Sequence, residues 1–339
     1  MVSGNKVRVK QVAEKISMQR ITAFLSKYSI FVILVGAFLI STLLNRNFLS
    51  AANLTNILKQ NSVVAILAFG ETMLIISGCI DLSNGAVLAL AGCLSVAVFK
   101  ASGSMLLACA VGLTVGILCN MVSGSLVSFF RTPPFIATLA VMTMARGLAL
   151  LYTSGQSIYQ IGNFVVLGQG QLIGIPIPII FMVLILVLTW YILNNTRLGR
   201  SLYAIGGNEE AANASGILVP RSKFYAYLIN GVFVGLAGII FMSRNNAGLP
   251  AGAQGYEFEA LTAAVIGGTS FSGGIGSAMG TLAGAFIVGI LNNIMNLLGV
   301  NSYIQQIVKG IIIALAVIMD IRAKNTRSRQ KELVMETKQ

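Results

Sequence analysis

The sequence predicts an all-α, polytopic membrane protein with about ten transmembrane helices and cytoplasmic N- and C-termini. Three observations predict it. Of 339 residues, 56% are apolar and only 10% charged, where a soluble domain carries about a quarter charged. The charges are also uneven: seven sit in residues 1–27, eight in 321–339 and 18 in the 293 residues between, too few to cover a water-exposed surface. Finally, the middle of the chain, in a sequence of mean hydropathy +0.84, divides into apolar runs approaching the roughly 20 residues that a bilayer core requires.

In chain order, residues 1–27 form a basic, polar leader without a short apolar core and cleavage site, so the first run is expected to anchor the chain itself. The runs follow at about 28–44, 61–78, 85–99, 105–130, 134–152, 176–193, 224–243, 256–270, 276–298 and 303–320, closed by a basic tail at 321–339. The third and eighth are short and adjoin Gly-bearing stretches, which predicts helix ends or breaks inside the protein. Gly112 and Gly116 on the fourth, Gly231 and Gly235 on the seventh, and Gly276, Gly280 and Gly284 on the ninth are four apart, a spacing that lets helices approach closely. Four runs on either side of the sixth hint at an internal repeat, although the residues themselves do not repeat.

Charge orients the count. The 194–223 connection carries Arg197, Arg200, Arg221 and Lys223, whereas the 153–175 connection has no charged residue; the positive-inside rule places the first in the cytoplasm and the second outside. Arg46, Lys59, Lys100 and Arg244 would then face outward. Much of the net charge of +13 lies in the two tails, where anionic lipid headgroups, and not nucleic acid, account for it. The absence of histidine removes His-based nucleophile pairs and zinc sites. Cys79, Cys93, Cys109 and Cys119 lie in apolar stretches without paired spacing and read as small hydrophobes. No catalytic residue and no metal site is expected. No Gly-Lys-Ser or Gly-Lys-Thr occurs, so the chain has no phosphate-cradling loop and binds no ATP itself. The Asn-Pro-Ala and Thr-Val-Gly-Tyr-Gly signatures of channels are also missing.

Ionisable groups within apolar runs are functional candidates. Glu71 is one; it is either paired with Arg146 of the fifth run or protonated. Asp81, in Ile80-Asp81-Leu82-Ser83-Asn84-Gly85, either caps the next helix or serves substrate passage. Arg146 binds a polar ligand, pairs with a carboxylate or snorkels to a surface. Glu257 and Glu259 open the eighth run, where a helix N-terminus welcomes negative charge. The 194–223 connection contains Glu210-Ala211-Ala212-Asn213-Ala214-Ser215-Gly216, a short helix closed by glycine. It is either a lever between two spans or a plain surface loop.

The strings at 78–85, 134–139, 196–200, 210–216, 255–257 and 263–270, taken in that order through about residues 45–320, resemble the membrane permease subunits of bacterial ABC importers for monosaccharides, the ribose-type branch above all. Gly78-Cys79-Ile80-Asp81-Leu82-Ser83-Asn84-Gly85 is similar to that family's Gly-Gly-Ile-Asp-Leu-Ser-x-Gly, with Cys79 in place of the second glycine. Pro134-Phe135-Ile136-Ala137-Thr138-Leu139, Thr196-Arg197-Leu198-Gly199-Arg200, the Glu-Ala-Ala-x-x-x-Gly pattern at 210–216, Gly255-Tyr256-Glu257 and Ala263-Ala264-Val265-Ile266-Gly267-Gly268-Thr269-Ser270 follow in order. The resemblance implies a conduit that pairs with a second copy in the inner membrane. Cytoplasmic ATP-binding subunits would dock against Glu210, Ala211, Ala212 and Gly216, and a periplasmic sugar-binding protein would deliver the substrate. A neutral sugar needs hydrogen-bonding groups along its path, and the candidates are Glu71, Asp81, Ser83, Asn84, Thr138, Asn230 and Glu257. The alternative is an ion-coupled secondary sugar transporter or facilitator that works without an ATPase.

Overall fold

The computed structural model describes residues 29–336, and the 1–27 leader lies outside the described residues. The chain folds as helices α1 (Ser29–Leu44), α2 (Ala51–Ile76), α3 (Asn84–Ser102), α4 (Met105–Ser128) and α5 (Pro134–Tyr152), then a short α6 (Val166–Gln169). After these come α7 (Ile177–Asn195), α8 (Arg197–Gly207), α9 (Glu209–Ala214), α10 (Val219–Asn245), α11 (Tyr256–Ile266), α12 (Ala278–Leu297) and α13 (Ser302–Glu336). The only strands among the described residues are the two-residue pair Gln171–Leu172 and Ile175–Pro176. Polar residues start the helices: Ser50, Ser104, Thr196, Asn208 and Ser277 each accept a hydrogen bond from a backbone N–H of the first turn.

Among the described residues six helices are long and apolar enough to cross a membrane: α3, α4, α5, α7, α10 and α12. Ser29–Leu44 and Ser302–Ile318 are shorter apolar helices. The α2 helix has 26 residues and carries Lys59 and Glu71. By contrast α11 has 11 residues, about half the length of a span, and ends at Gly267 and Gly268 as the sequence suggested. The backbone of α13 continues without a break from the last apolar run into the basic tail.

Centrality explains the composition of each helix. Every residue of α2 from Asn61 to Ile76 is buried, and α7, α10, α11 and α12 pack on it. Large apolar side chains point outward on the peripheral helices: Leu43 of α1 is 87% exposed, Leu106 of α4 83% and Leu151 of α5 77%. In a membrane that surface faces lipid, which carries no penalty for apolar groups. The glycine spacings act as expected. A Cβ on Gly116 would lie 2.9 Å from the Cα of Gly235, and one on Gly231 2.8 Å from the Asn120 side chain, so α4 and α10 meet backbone to backbone. Gly280 and Gly284 do the same against the end of α11. Gly276 is an exception: it precedes α12 and packs against Ile76.

The 194–223 connection is mostly helical, with α8 and α9 side by side at one end of the molecule. Gly216 closes α9 at φ +84°, a conformation open to glycine at little cost. The 153–175 connection lies at the opposite ends of α7 and α10, where Ile158 and Gly248 exchange backbone hydrogen bonds.

Candidate functional site

The chain reverses after α2 through residues 77–83, and the reversal brings polar side chains from four helices into one buried cluster. Glu71 stands on α2, Asp81 and Ser83 on the turn, Asn84 at the start of α3, Asn120 on α4 and Asn230 on α10, all 0% exposed. Glu71 accepts from the Asp81 N–H at 3.1 Å and from the Asn84 amide at 2.9 Å. Asp81 Oδ1 accepts from the Ser83 N–H at 2.8 Å and the Ser83 hydroxyl at 2.5 Å. The Asn230 amide donates to Asp81 Oδ2 at 2.9 Å and to the oxygens of Asn84 and Asn120 at 3.0 Å each. A primary amide has two N–H groups, so three acceptors share them. Gly70 makes room: a Cβ there would overlap the Asn230 amide. Tyr227 of α10 completes the tie by donating to the Ile80 carbonyl at 2.9 Å.

Asp81 thus spends one oxygen on Ser83, just before α3, and the other on Asn230 of α10. The expected pairing of Glu71 with Arg146 is not made. Glu71 is taken up by Asp81 and Asn84, while Arg146 donates to the carbonyls of Pro250 at 2.7 Å and Gly252 at 2.9 Å. A guanidinium has donors in a fork that suits two carbonyls on one loop. Of the seven path candidates, Glu71, Asp81, Ser83, Asn84 and Asn230 come together. Glu257 lies beside them, accepting from the Gly255 N–H at 3.1 Å and packing on Gly85, where a Cβ would strike its carboxylate. Thr138 stands apart on α5, bonded to the Pro134 carbonyl of its own helix at 2.9 Å. Asn120 and Tyr227 are members that the sequence reading missed. Asn120, an amide within the apolar run Ile117-to-Val122, carried a visible signal; Tyr227 carried none.

The cluster is joined to the α8–α9 end by backbone contact. Gly206 of α8 lies against the Ile76 carbonyl at the end of α2, leaving no room for a side chain. The same carbonyl accepts from the Gly274 N–H at 2.8 Å. Tyr203 of α8 donates to the Gly276 carbonyl at 2.7 Å, and Asp320 of α13 holds the Phe271 N–H at 2.9 Å. α8 thus abuts Ile76, which lies five residues from Glu71 and from Asp81. On α9, Glu210, Ala211 and Gly216 are exposed, whereas Ala212 is buried against Ile205 and Val219 and seats the helix.

Residues 53–317 match the family described as "Branched-chain amino acid transport system / permease component". The chain is 44% identical over 306 residues to the ribose import permease protein RbsC of Bacillus subtilis (strain 168), covering 89% of this chain and 93% of the relative. It is 40% identical to the Haemophilus influenzae RbsC, with 89% and 95% covered. With the D-allose transport system permease protein AlsC of Escherichia coli (strain K12) it shares 36% identity, with 94% and 98% covered. No solved structure matches the chain.

Proposed function

This chain belongs to the branched-chain amino acid transport system / permease component family, and we propose that it passes ribose or a related monosaccharide from a periplasmic binding protein into the cytoplasm. It is the membrane subunit of an ABC sugar importer, a multi-pass inner-membrane protein and not an enzyme. In the proposed assembly two copies pair, and separate ATP-binding subunits supply the energy. In the proposed topology α1, α2, α11 and α13 join the six long apolar helices as ten spans or part-spans, and the basic residues of the tails and of the 194–223 connection support placing both termini and α8–α9 in the cytoplasm.

One observation carries the mechanism: α8 touches the end of α2 backbone to backbone. ATP binding by the partner subunits presses on Glu210, Ala211 and Gly216 of α9; Ala212 and the α8–α9 unit carry the movement to Ile76 and the 77–83 turn. In the resting arrangement the carboxylates of Glu71 and Asp81 are occupied by protein donors. When the turn moves, Glu71, Asp81, Ser83, Asn84 and Asn230, with Glu257 and Thr138, offer their oxygens and amides to sugar hydroxyls. Exchange of one set of hydrogen bonds for another limits the barrier, since each bond to a carboxylate, worth about 1.5–3 kcal/mol net, is replaced by one to a sugar hydroxyl. The test is ribose uptake into proteoliposomes containing the chain, its ATPase and its binding protein. Uptake that requires ATP and all three parts is the expected result; equal uptake by the chain alone would reject the reading in favour of a facilitator.

A further inference from the structure

A second polar site lies away from the Glu71–Asp81 cluster, in a cavity of about 530 Å³ between α11, α12 and α13. That volume falls within the roughly 300–1,000 Å³ range of small-molecule sites. Glu259 of α11 and Lys309 of α13 form an ion pair at 2.5 Å, their side chains 12% and 32% exposed. The Asn292 amide of α12 donates to the same Glu259 oxygen at 3.3 Å. All three stand on helices read here as membrane-embedded, where charged groups are costly and mark function.

An ion pair that merely fastened α11 to α13 would leave nothing over. Here something is left over: Asn292, 8% exposed, has a carbonyl oxygen without a hydrogen-bond partner among the described residues. A buried acceptor in that state carries the full desolvation cost until a donor arrives. Phe258, 46% exposed, and Gln306 also line the cavity, while the remaining wall is largely aliphatic. Glu259 and Lys309 neutralise each other, so the cavity offers no net charge to an ion. Its wall carries that unpaired acceptor, which a turn of the Asn292 side chain would bring to the cavity, together with a second amide and an aromatic face, the chemistry that hydroxyls and C–H edges of a neutral ring recognise.

We propose that this cavity is a monosaccharide subsite on the transport route, with Asn292 accepting a sugar hydroxyl and Gln306 holding a second. The proposal rests on the permease reading above. Its test uses the complete reconstituted importer with ribose as the probe, comparing wild type, Asn292→Leu and Gln306→Ala. Gln306 is exposed and makes no hydrogen bond among the described residues, so its variant is expected to fold normally. Loss of one hydrogen bond to the moving sugar predicts a kcat for uptake about tenfold lower in Asn292→Leu and a few-fold lower in Gln306→Ala. KM, set by the binding protein, and ATP turnover are expected to persist, so more ATP is spent per ribose. Unchanged uptake in both variants, or uptake and ATP turnover falling in proportion, overturns the subsite while the permease reading stands. Failure of the wild-type importer to move ribose with ATP overturns both.

Discussion

The Glu71–Asp81–Asn230 cluster and the α9 helix are both polar, yet they sit at opposite extremes of burial. In the cluster every named side chain is 0% exposed, and the bonds join α2 to α3 and α10 to the 77–83 turn, α3 and α4. On α9, Glu209, Glu210 and Ala211 are exposed, and the bond from Lys223 to Glu209 at 2.7 Å reaches only to the next helix. Burial makes the first region expensive to disturb and specific in geometry. Exposure makes the second cheap to alter and available to a partner. A transporter worked from outside the membrane needs one region of each kind, with a stiff connection between them.

The sharpest way to break that comparison is Asn230→Leu. It leaves Asp81, Asn84 and Asn120 without their shared donor, and a buried acceptor left unsatisfied costs about 1–3 kcal/mol, more where it is charged. The expected outcome is a large fall in thermal stability of the purified chain and loss of uptake; an unchanged melting temperature would mean that the cluster is not a structural hub. Next in size is Gly206→Ala, whose Cβ would strike the Ile76 carbonyl. Forced overpacking costs roughly 1–3 kcal/mol, and sugar uptake is expected to fall further than ATPase association, because the connection and not the docking face is altered. Equal uptake by this variant and wild type would remove α8 from the transmission route.

Glu210→Arg probes the exposed end. Membrane insertion and melting temperature should stay at wild-type values while copurification of the ATPase subunit drops several-fold, about the effect of one rim charge of reversed sign. Undiminished copurification would place the docking surface elsewhere. The smallest effect belongs to Lys223→Ala: its ion pair with Glu209, whose side chain is 57% exposed, is the kind worth about 0–1 kcal/mol. Thermal unfolding should barely change, and a shift as large as that of Asn230→Leu would erase the contrast between the two regions.

The helices were legible because lipid rewards uninterrupted apolar runs: each of the ten runs lies largely on a helix, and six of those helices are long and apolar enough to cross a membrane among the described residues. Charge starvation in and beside those runs also made Glu71 and Asp81 stand out. What escaped the sequence depends on tertiary neighbours. The α8 helix was hidden because Arg197–Gly207 mixes arginines, glycines and apolar residues without a long apolar run. Nothing in the letters Gly206 or Tyr227 tells that one meets the end of α2 and the other the Ile80 carbonyl. The pairing imagined for Arg146 failed for a similar reason: the carbonyls of Pro250 and Gly252, invisible as ligands in a sequence, took its donors.

The most direct measurement is the labelling of a Glu210→Cys chain by a membrane-impermeant maleimide, with the parent chain as control for its four native cysteines. Labelling in inverted inner-membrane vesicles, suppressed when the ATPase subunit is bound and absent in intact spheroplasts, is the result predicted. Labelling from the periplasmic side, or labelling in inverted vesicles that the ATPase subunit leaves untouched, would contradict the claim that this end of the molecule drives transport.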